Sequence, residues 1–545
     1  MLFRYGLAVA VTLALLSPPA RSDQQDSHSH FGDMGQVGTV RFPTSCSSGV
    51  QAQIEQAVAM LHSFWYEEAG KAFHAIATTD RHCSMAWWGV AMSLWHPLWP
   101  GTPDAETLKQ GAAAVAQAQF MHGNTERERD YIAAIATFYQ NSDKIAHHTR
   151  ALAYEKAMEK VAERYADDQE ASIFYCLALL ATAKPTDKTY ANQKKAGEIL
   201  ERVFAAQPNH PGVAHYIIHS YDNPVLAPQG LSAARRYAKI APSVPHAQHM
   251  PSHIFVRLGL WQESIASNLA SAAAARDYEM KSHMKGVWDQ RLHAMDYLVY
   301  AYLQTGQEGE ARRVVDDAGA ITTVEPAGLI AEYALAAIPA RFSIERQQWA
   351  DAASLRPPSG AGPAAEAITW WARALGAAHL GDLAAAHQDV AQIQRMKDQL
   401  DASPDPNAKY WAGQVEIQRR AASAWLAHAQ GKDHEALALM RLALEMEDAT
   451  EKSPVTPGPV LPAGELLADL LMETRQPALA LTQFEASLKS APNRLHGVYG
   501  AAQAAKSSNQ SELAKGYYAK VVEICSHCRA DDPRLQRAQQ FLAIK

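Results

Sequence analysis

Ala301-Tyr302-Leu303-Gln304-Thr305-Gly306-Gln307-Glu308-Gly309-Glu310-Ala311 holds the end of an apolar helical stretch, a glycine turn and the acidic, alanine-containing start of a second helix. Glycine suits the left-handed residue that ends a helix, and acids suit the first turn of the next one. Ala377-Ala378-His379-Leu380-Gly381-Asp382-Leu383-Ala384-Ala385-Ala386 repeats the pattern, and Gly259 and Gly431 likewise sit between two amphipathic stretches. The intervals Gly259–Gly306–Gly381–Gly431 are 47, 75 and 50 residues. The longest predicts a further turn at Gln347-Gln348-Trp349-Ala350-Asp351-Ala352. Apolar residues keep helical spacing almost to the end of the chain, and no alternating strand pattern interrupts them. The fold class expected is all-α.

A small residue at the turn, then an acid or amide, then alanine, is the grammar of the tetratricopeptide repeat (TPR). Phe64-Trp65-Tyr66-Glu67-Glu68-Ala69-Gly70-Lys71-Ala72-Phe73 and Pro477-Ala478-Leu479-Ala480-Leu481-Thr482-Gln483-Phe484-Glu485 are further pieces of it. Over most of residues 50–540 the chain resembles a secreted bacterial-type tetratricopeptide-repeat protein. That resemblance implies a right-handed superhelix, an α-solenoid of irregular hairpins, whose first helices line a concave groove. It also implies that a protein, peptide or small-molecule ligand binds in that groove. Pro-rich interruptions around Leu355–Pro363 and Ser453–Pro462 suggest sub-arrays rather than independent domains. The expected divisions are a polar segment at 23–44, N-terminal hairpins at 45–205, a His-rich centre at 206–350, middle repeats at 351–460 and C-terminal repeats at 461–545.

Composition agrees with a large ordered chain: 545 residues, 48% apolar, 20% charged, with a net charge of −7. Wholesale disorder is excluded, and the acidity argues against a nucleic-acid partner. Arg4, the apolar run Leu7–Leu16 and the small residues Ala20 and Ser22 read as a cleavable signal over 1–22, too short to cross a bilayer. The expected location is therefore secreted or periplasmic, with no membrane span after cleavage. Export permits disulfides. Cys46 and Cys83 are close enough in sequence to pair around the first hairpin, and Cys525 and Cys528 form a local pair. With no second Cys pair to complete a zinc set, a disulfide is preferred there. Cys176, in an apolar run, is expected to be a buried thiol.

Eight of the 23 histidines lie between His210 and His293, more than twice an even share. His215 and His219 stand four apart, which puts both imidazoles on one helix face. His249 and His253 repeat that spacing 34 residues later, and 34 is the tetratricopeptide period. The two pairs should therefore occupy equivalent places on neighbouring first helices. Aligning Gly306 with Gly259, a shift of 47, sets Asp296 opposite His249 and His293 opposite His246. His215, His219, His246, His249, His253, His293 and Asp296 are the candidate metal ligands, with Asp222 as an oxygen ligand or supporting partner. Imidazoles with a carboxylate suit zinc, copper or iron. Pro251 complicates this set: a helix starting at Met250 would leave His249 at a cap.

Tyr216, Tyr297, Trp95 and His96 are candidate groove residues, although the spacing of Trp88, Met92 and Trp95 also suits core packing. The loop Glu451–Pro459 reads first as a proline-fixed linker and second as a cap over the groove. Arg341 reads as a surface arginine, with an anion contact as the alternative. No phosphate loop, nucleophile elbow or His-Glu-x-x-His helix is present. The expectation is an exported groove-binding repeat protein with a His-rich metal site. A metal-free interaction scaffold and a metal-dependent periplasmic enzyme are the alternatives.

Overall fold

Alanine and leucine at three- and four-residue spacing give the outer helices an apolar stripe and the inner ones apolar faces nearly all round, and stacking hairpins is the way to bury them. The computed structural model describes residues 35–98, 102–121 and 124–543. Among them run 26 α-helices joined by short connections, an all-α solenoid of tetratricopeptide-like hairpins. The expected signal over 1–22 and residues 23–34 of the polar lead lie outside the described residues. A two-residue parallel pairing, Val287–Trp288 with Val324–Glu325, is the β-structure among them.

Hairpin chemistry is visible at the turns. Gly259, Gly306, Gly381 and Gly431 have φ of +64°, +67°, +75° and +76°. The turn expected inside the longest interval lies where Gln347 takes φ +53°, between the helices Leu329–Ile344 and Trp349–Ala353. Inner and outer helices differ in burial. The inner helix Asp289–Gln304 buries every residue but Arg291, whereas its outer mate Glu308–Gly319 buries only Ala311, Val314 and Ala318.

The loop that follows the helix Asp433–Asp448 contacts the inner helices at Asp222, Arg257, Tyr297 and Arg341. It was expected to be a linker, yet it packs across the inner face. Lys452 Nζ binds Asp222 at 2.9 Å, and Glu451 binds Arg257 and Lys188. Arg341, expected at the surface, is fully buried: it holds Asp296 bidentately and donates to Thr456 Oγ1, Gly458 O and Pro459 O. Its five N–H groups exceed what one carboxylate accepts, and the proline turn supplies bare carbonyls for the remainder. A second brace comes from the C-terminal array. Arg494 is buried between Glu345 and Glu465 and donates to Tyr300, while Trp261 Nε1 donates to Asn493 O.

Cys46–Cys83 and Cys525–Cys528 are disulfides, and Cys176 is a buried free thiol. Trp88, Trp95, Trp371 and Trp411 are core residues.

Candidate metal centre

Each candidate histidine is placed by an inner helix. Helix Pro211–Tyr221 opens on a proline at its first position, where no N–H is needed, and His210 caps it by accepting from Val213 N. His215 and His219 then project one turn apart, their Nε2 atoms 3.1 Å from each other. The next inner segment has two pieces, Pro245–His249 and Pro251–Arg257. Met250 between them keeps helical angles (φ −53°, ψ −35°), so Pro251 does not turn His249 away. His246 Nε2 reaches back to His215 Nε2 at 3.2 Å. His249 and His253 meet each other, Nε2 to Nε2, at 3.0 Å. Helix Asp289–Gln304 adds His293, whose ring lies 4.2 Å from that of His249.

Six imidazoles thus form two triples, His215/His219/His246 and His249/His253/His293, each with its donor atoms within 4.8 Å of one another. The second triple is the first moved along by one repeat. Both take an i, i+4 pair from one inner helix and a single histidine from the next. The pairs are offset by 34 residues and the single histidines by 47, the glycine offset. Tetrahedral coordination with zinc–nitrogen bonds of 2.0–2.1 Å requires nitrogens about 3.3 Å apart. The separations of 3.0–3.2 Å are close to that edge.

Hydrogen-bond direction fixes where the lone pairs point. His253 Nδ1 lies 2.8 Å from an Asp222 oxygen, which only accepts, so Nδ1 carries the proton. His249 Nδ1 lies 2.7 Å from Asn268 Oδ1, and the Asn268 amide is oriented by its own donation to Ser264 O. His249 Nδ1 therefore also carries its proton. In the neutral imidazoles both Nε2 atoms are bare, and two lone pairs face one another across 3.0 Å. His215 follows the same rule, with Nδ1 donating to His62 O at 2.7 Å and Nε2 left bare. Burial keeps the rings neutral, pushing His215 and His293 down to about 3 and His219, His246 and His249 well below the usual range. Burial also lowers His253, with Asp222 pulling the other way. A carboxylate, an amide oxygen and a backbone carbonyl stand behind these imidazoles, the kinds of group that commonly support histidines in metal sites.

The remaining sequence candidates are distributed differently. Asp222 stands behind His253 rather than among the triples, and Lys452 and Arg257 hold it well below the usual carboxylate range against the opposing effect of burial. The carboxylate of Asp296 goes to Arg341 at 2.7 Å and 3.3 Å, so it is not aimed at the histidines. The four expected groove residues do not share a groove. Tyr216 is buried and bonds His62 Nδ1, and Trp95 packs on Tyr154 in the core. His96 is half-buried on the ring of Tyr66. Tyr297 lies against the second triple. Several residues behind the site gave no sequence signal. Glu170 bridges His62 and His210 at 2.9 Å and 2.7 Å, and His62 in turn carries the carbonyl used by His215. Asn268 sits on an outer helix, Trp261–Lys281, which no repeat argument singles out.

Arg257 and Lys452, the two cations on Asp222, also line a cavity of about 430 Å³ whose walls include Tyr300, Tyr333, Trp371 and Trp411. Asp222 therefore joins the cavity wall to His253.

The chain matches no protein-family model and no curated protein. Solved structures similar to it include a monomeric IFIT1 mutant with Gppp-AAAA (11% identity, 88% of this chain and 98% of that one, TM-score 0.37). The human IFIT1 dimer with m7Gppp-AAAA matches at 10% identity over 86% and 95% of the two chains, TM-score 0.35. The APC/C hetero-tetramer Cut9-Hcn1 matches at 12% identity over 91% and 90%, TM-score 0.31. Likenesses this remote carry no functional argument, and the fold rests on the helices and turns themselves. No helix among the described residues is long and apolar enough to cross a membrane.

Proposed function

We propose that this is an exported helical-repeat metalloprotein that holds transition-metal ions in its two histidine triples and presents its groove to a protein, peptide or small-molecule ligand. One observation carries the metal reading: His249 and His253 turn bare Nε2 atoms toward each other at 3.0 Å with no hydrogen to share. Two lone pairs at that separation repel, and a cation between them removes the repulsion. A neutral all-nitrogen set suits zinc or copper better than iron, whose common protein sites include a carboxylate. The export reading rests on the basic start, short apolar run and small residues of the first 22 positions. A net charge of −7 supports a partner other than nucleic acid.

Metal analysis of protein purified from the exported fraction tests this. Near-stoichiometric zinc or copper is expected, removable by chelator and lost when His215 and His253 are changed to Ala. Protein that contains no transition metal, and binds none on addition, sinks the metal reading. Recovery of the chain only inside the cell sinks the export reading.

A metal-dependent enzyme is a second reading, favoured by the cavity whose wall residues Arg257 and Lys452 bind the same Asp222 that holds His253. A substrate screen with and without chelator separates it from pure binding.

A further inference from the structure

The two triples share one repeat geometry but are covered by different aromatic residues. Phe64 lies over the first, with its ring 4.4 Å from His215, 5.6 Å from His219 and stacked on His246 at 5.5 Å. It holds this place with φ +56°, a left-handed conformation that a bulky residue adopts only when its surroundings impose it. Tyr297 lies over the second, 4.6 Å from His249 and 5.3 Å from both His253 and His293. Its hydroxyl oxygen is 3.3 Å from His253 Nε2 and 3.2 Å from Thr456 O. The hydroxyl donates its hydrogen bond to the Thr456 carbonyl, and the oxygen's lone pairs are then free to face the triple. The 3.3 Å separation also equals the edge of about 3.3 Å expected between two donors on a tetrahedral ion.

Building on the metal-centre reading above, we propose that the two triples are chemically unequal metal sites. His249, His253 and His293 form a four-coordinate site for a divalent ion, completed by Tyr297 Oη. His215, His219 and His246 form a three-coordinate, all-imidazole site under Phe64 that takes copper(I). Structural zinc is almost always four-coordinate, and a hydrocarbon ring offers no fourth donor. Copper(I) has a filled d shell and is satisfied by three nitrogens, and imidazole suits copper. The second site has its oxygen donor built in, held in register by the docked loop through Thr456. Phe64 and Tyr297 are thus the residues that set metal preference.

The test is a zinc titration by chelator competition on the full-length protein, followed by an anaerobic copper(I) titration of the zinc-loaded protein. Wild type is expected to take one tight zinc and then one copper(I). Tyr297→Phe should weaken zinc at least about tenfold, the size of effect seen when a metal loses a supporting partner, while leaving copper(I) binding unchanged. Phe64→His supplies a fourth nitrogen at a backbone conformation histidine tolerates better than most residues, and should create a second tight zinc site. This gain reads independently if Tyr297→Phe fails to fold. Two zinc ions of equal affinity in wild type, or zinc affinity indifferent to Tyr297→Phe, overturn the inequality but leave the metal reading standing. Failure to retain either metal overturns the metal reading itself.

Discussion

At the scale of single residues, Asp296 and Asn268 show how partners decide roles. Asp296 occupies the repeat position that His249 holds one hairpin earlier, but both its oxygens bind Arg341 in a fully buried pair. Asp296→Ala leaves that guanidinium charged and unpaired, which costs about 3–5 kcal/mol. The expected outcome in urea denaturation of the metal-free protein is a loss of that order. Metal stoichiometry should be unchanged under conditions where the variant is folded, and a lost metal equivalent would restore Asp296 as a ligand. Asn268 is the converse, a residue with no signal in the sequence that fixes the tautomer of His249. Asn268→Ala should leave the helices intact by circular dichroism and weaken metal binding by about 10–100-fold. An unchanged affinity would remove the tautomer argument for that ligand. The histidines themselves were legible because period and helical spacing act along the chain. Asp222 was legible as a supporting partner from its place three residues beyond His219, although the histidine it supports is His253; Asn268 and His62 were not, because each supports a histidine at a separation, 19 and 153 residues, that follows no repeat.

At the scale of elements, the turns carry most of the information that the sequence exposes. Gly381 and Gly259 both have positive φ, so alanine is strained at either. Gly381 has nothing near the position of an added Cβ, whereas at Gly259 the methyl would run into the Pro492 carbonyl of the C-terminal array. Gly381→Ala should therefore cost about 1 kcal/mol and Gly259→Ala distinctly more. Equal urea midpoints for the two variants would mean that the contact with Pro492 yields freely. That difference could not be read from the chain, since both glycines follow the same local grammar. Pairing between elements also sets a pH dependence. Burial lowers His496, but Asp469 on the facing helix, with Glu465 and Glu345 beyond, outweighs it and holds His496 up at about 9. A folded pKa raised above the ordinary 6.5 means stability fully present below pH 6.5 and lost as pH rises through about 9. The amount at stake is about 3 kcal/mol by the usual conversion. His496→Gln should flatten the fall in urea midpoint between pH 6.5 and 9, and an undiminished slope would assign it to another group.

At the scale of the whole molecule, cross-braces distinguish this chain from a simple repeat array. In an ideal solenoid each hairpin touches only its neighbours, so stability is a sum of local terms and the ends can melt alone. Here contacts skip across the array. The loop after the helix Asp433–Asp448 ties Lys188 and Arg257 through Glu451, and it carries Lys452 to Asp222 beside His253. Arg494 joins the C-terminal array to the central one through Glu465, Glu345 and Tyr300, and Gln304 Oε1 accepts from Leu495 N next to it. Turn glycines and helical periodicity predicted a continuous stack of hairpins. They left these closures unseen, because a loop's docking partners follow no period. The braces predict that the described hairpins unfold together. Arg494→Met removes the shared cation and leaves two carboxylates in a buried site, so the C-terminal array should separate as its own transition at lower temperature. In a thermal melt followed by near- and far-ultraviolet circular dichroism, wild type should give one coincident curve and Arg494→Met two. Because the loop over the histidine triples is anchored separately through Lys452 and Arg341, the zinc binding proposed above should survive the first of those transitions and be lost in the second. A wild type that already melts in stages, or a variant that loses metal with the first stage, would show that the braces do not organise the molecule in this way.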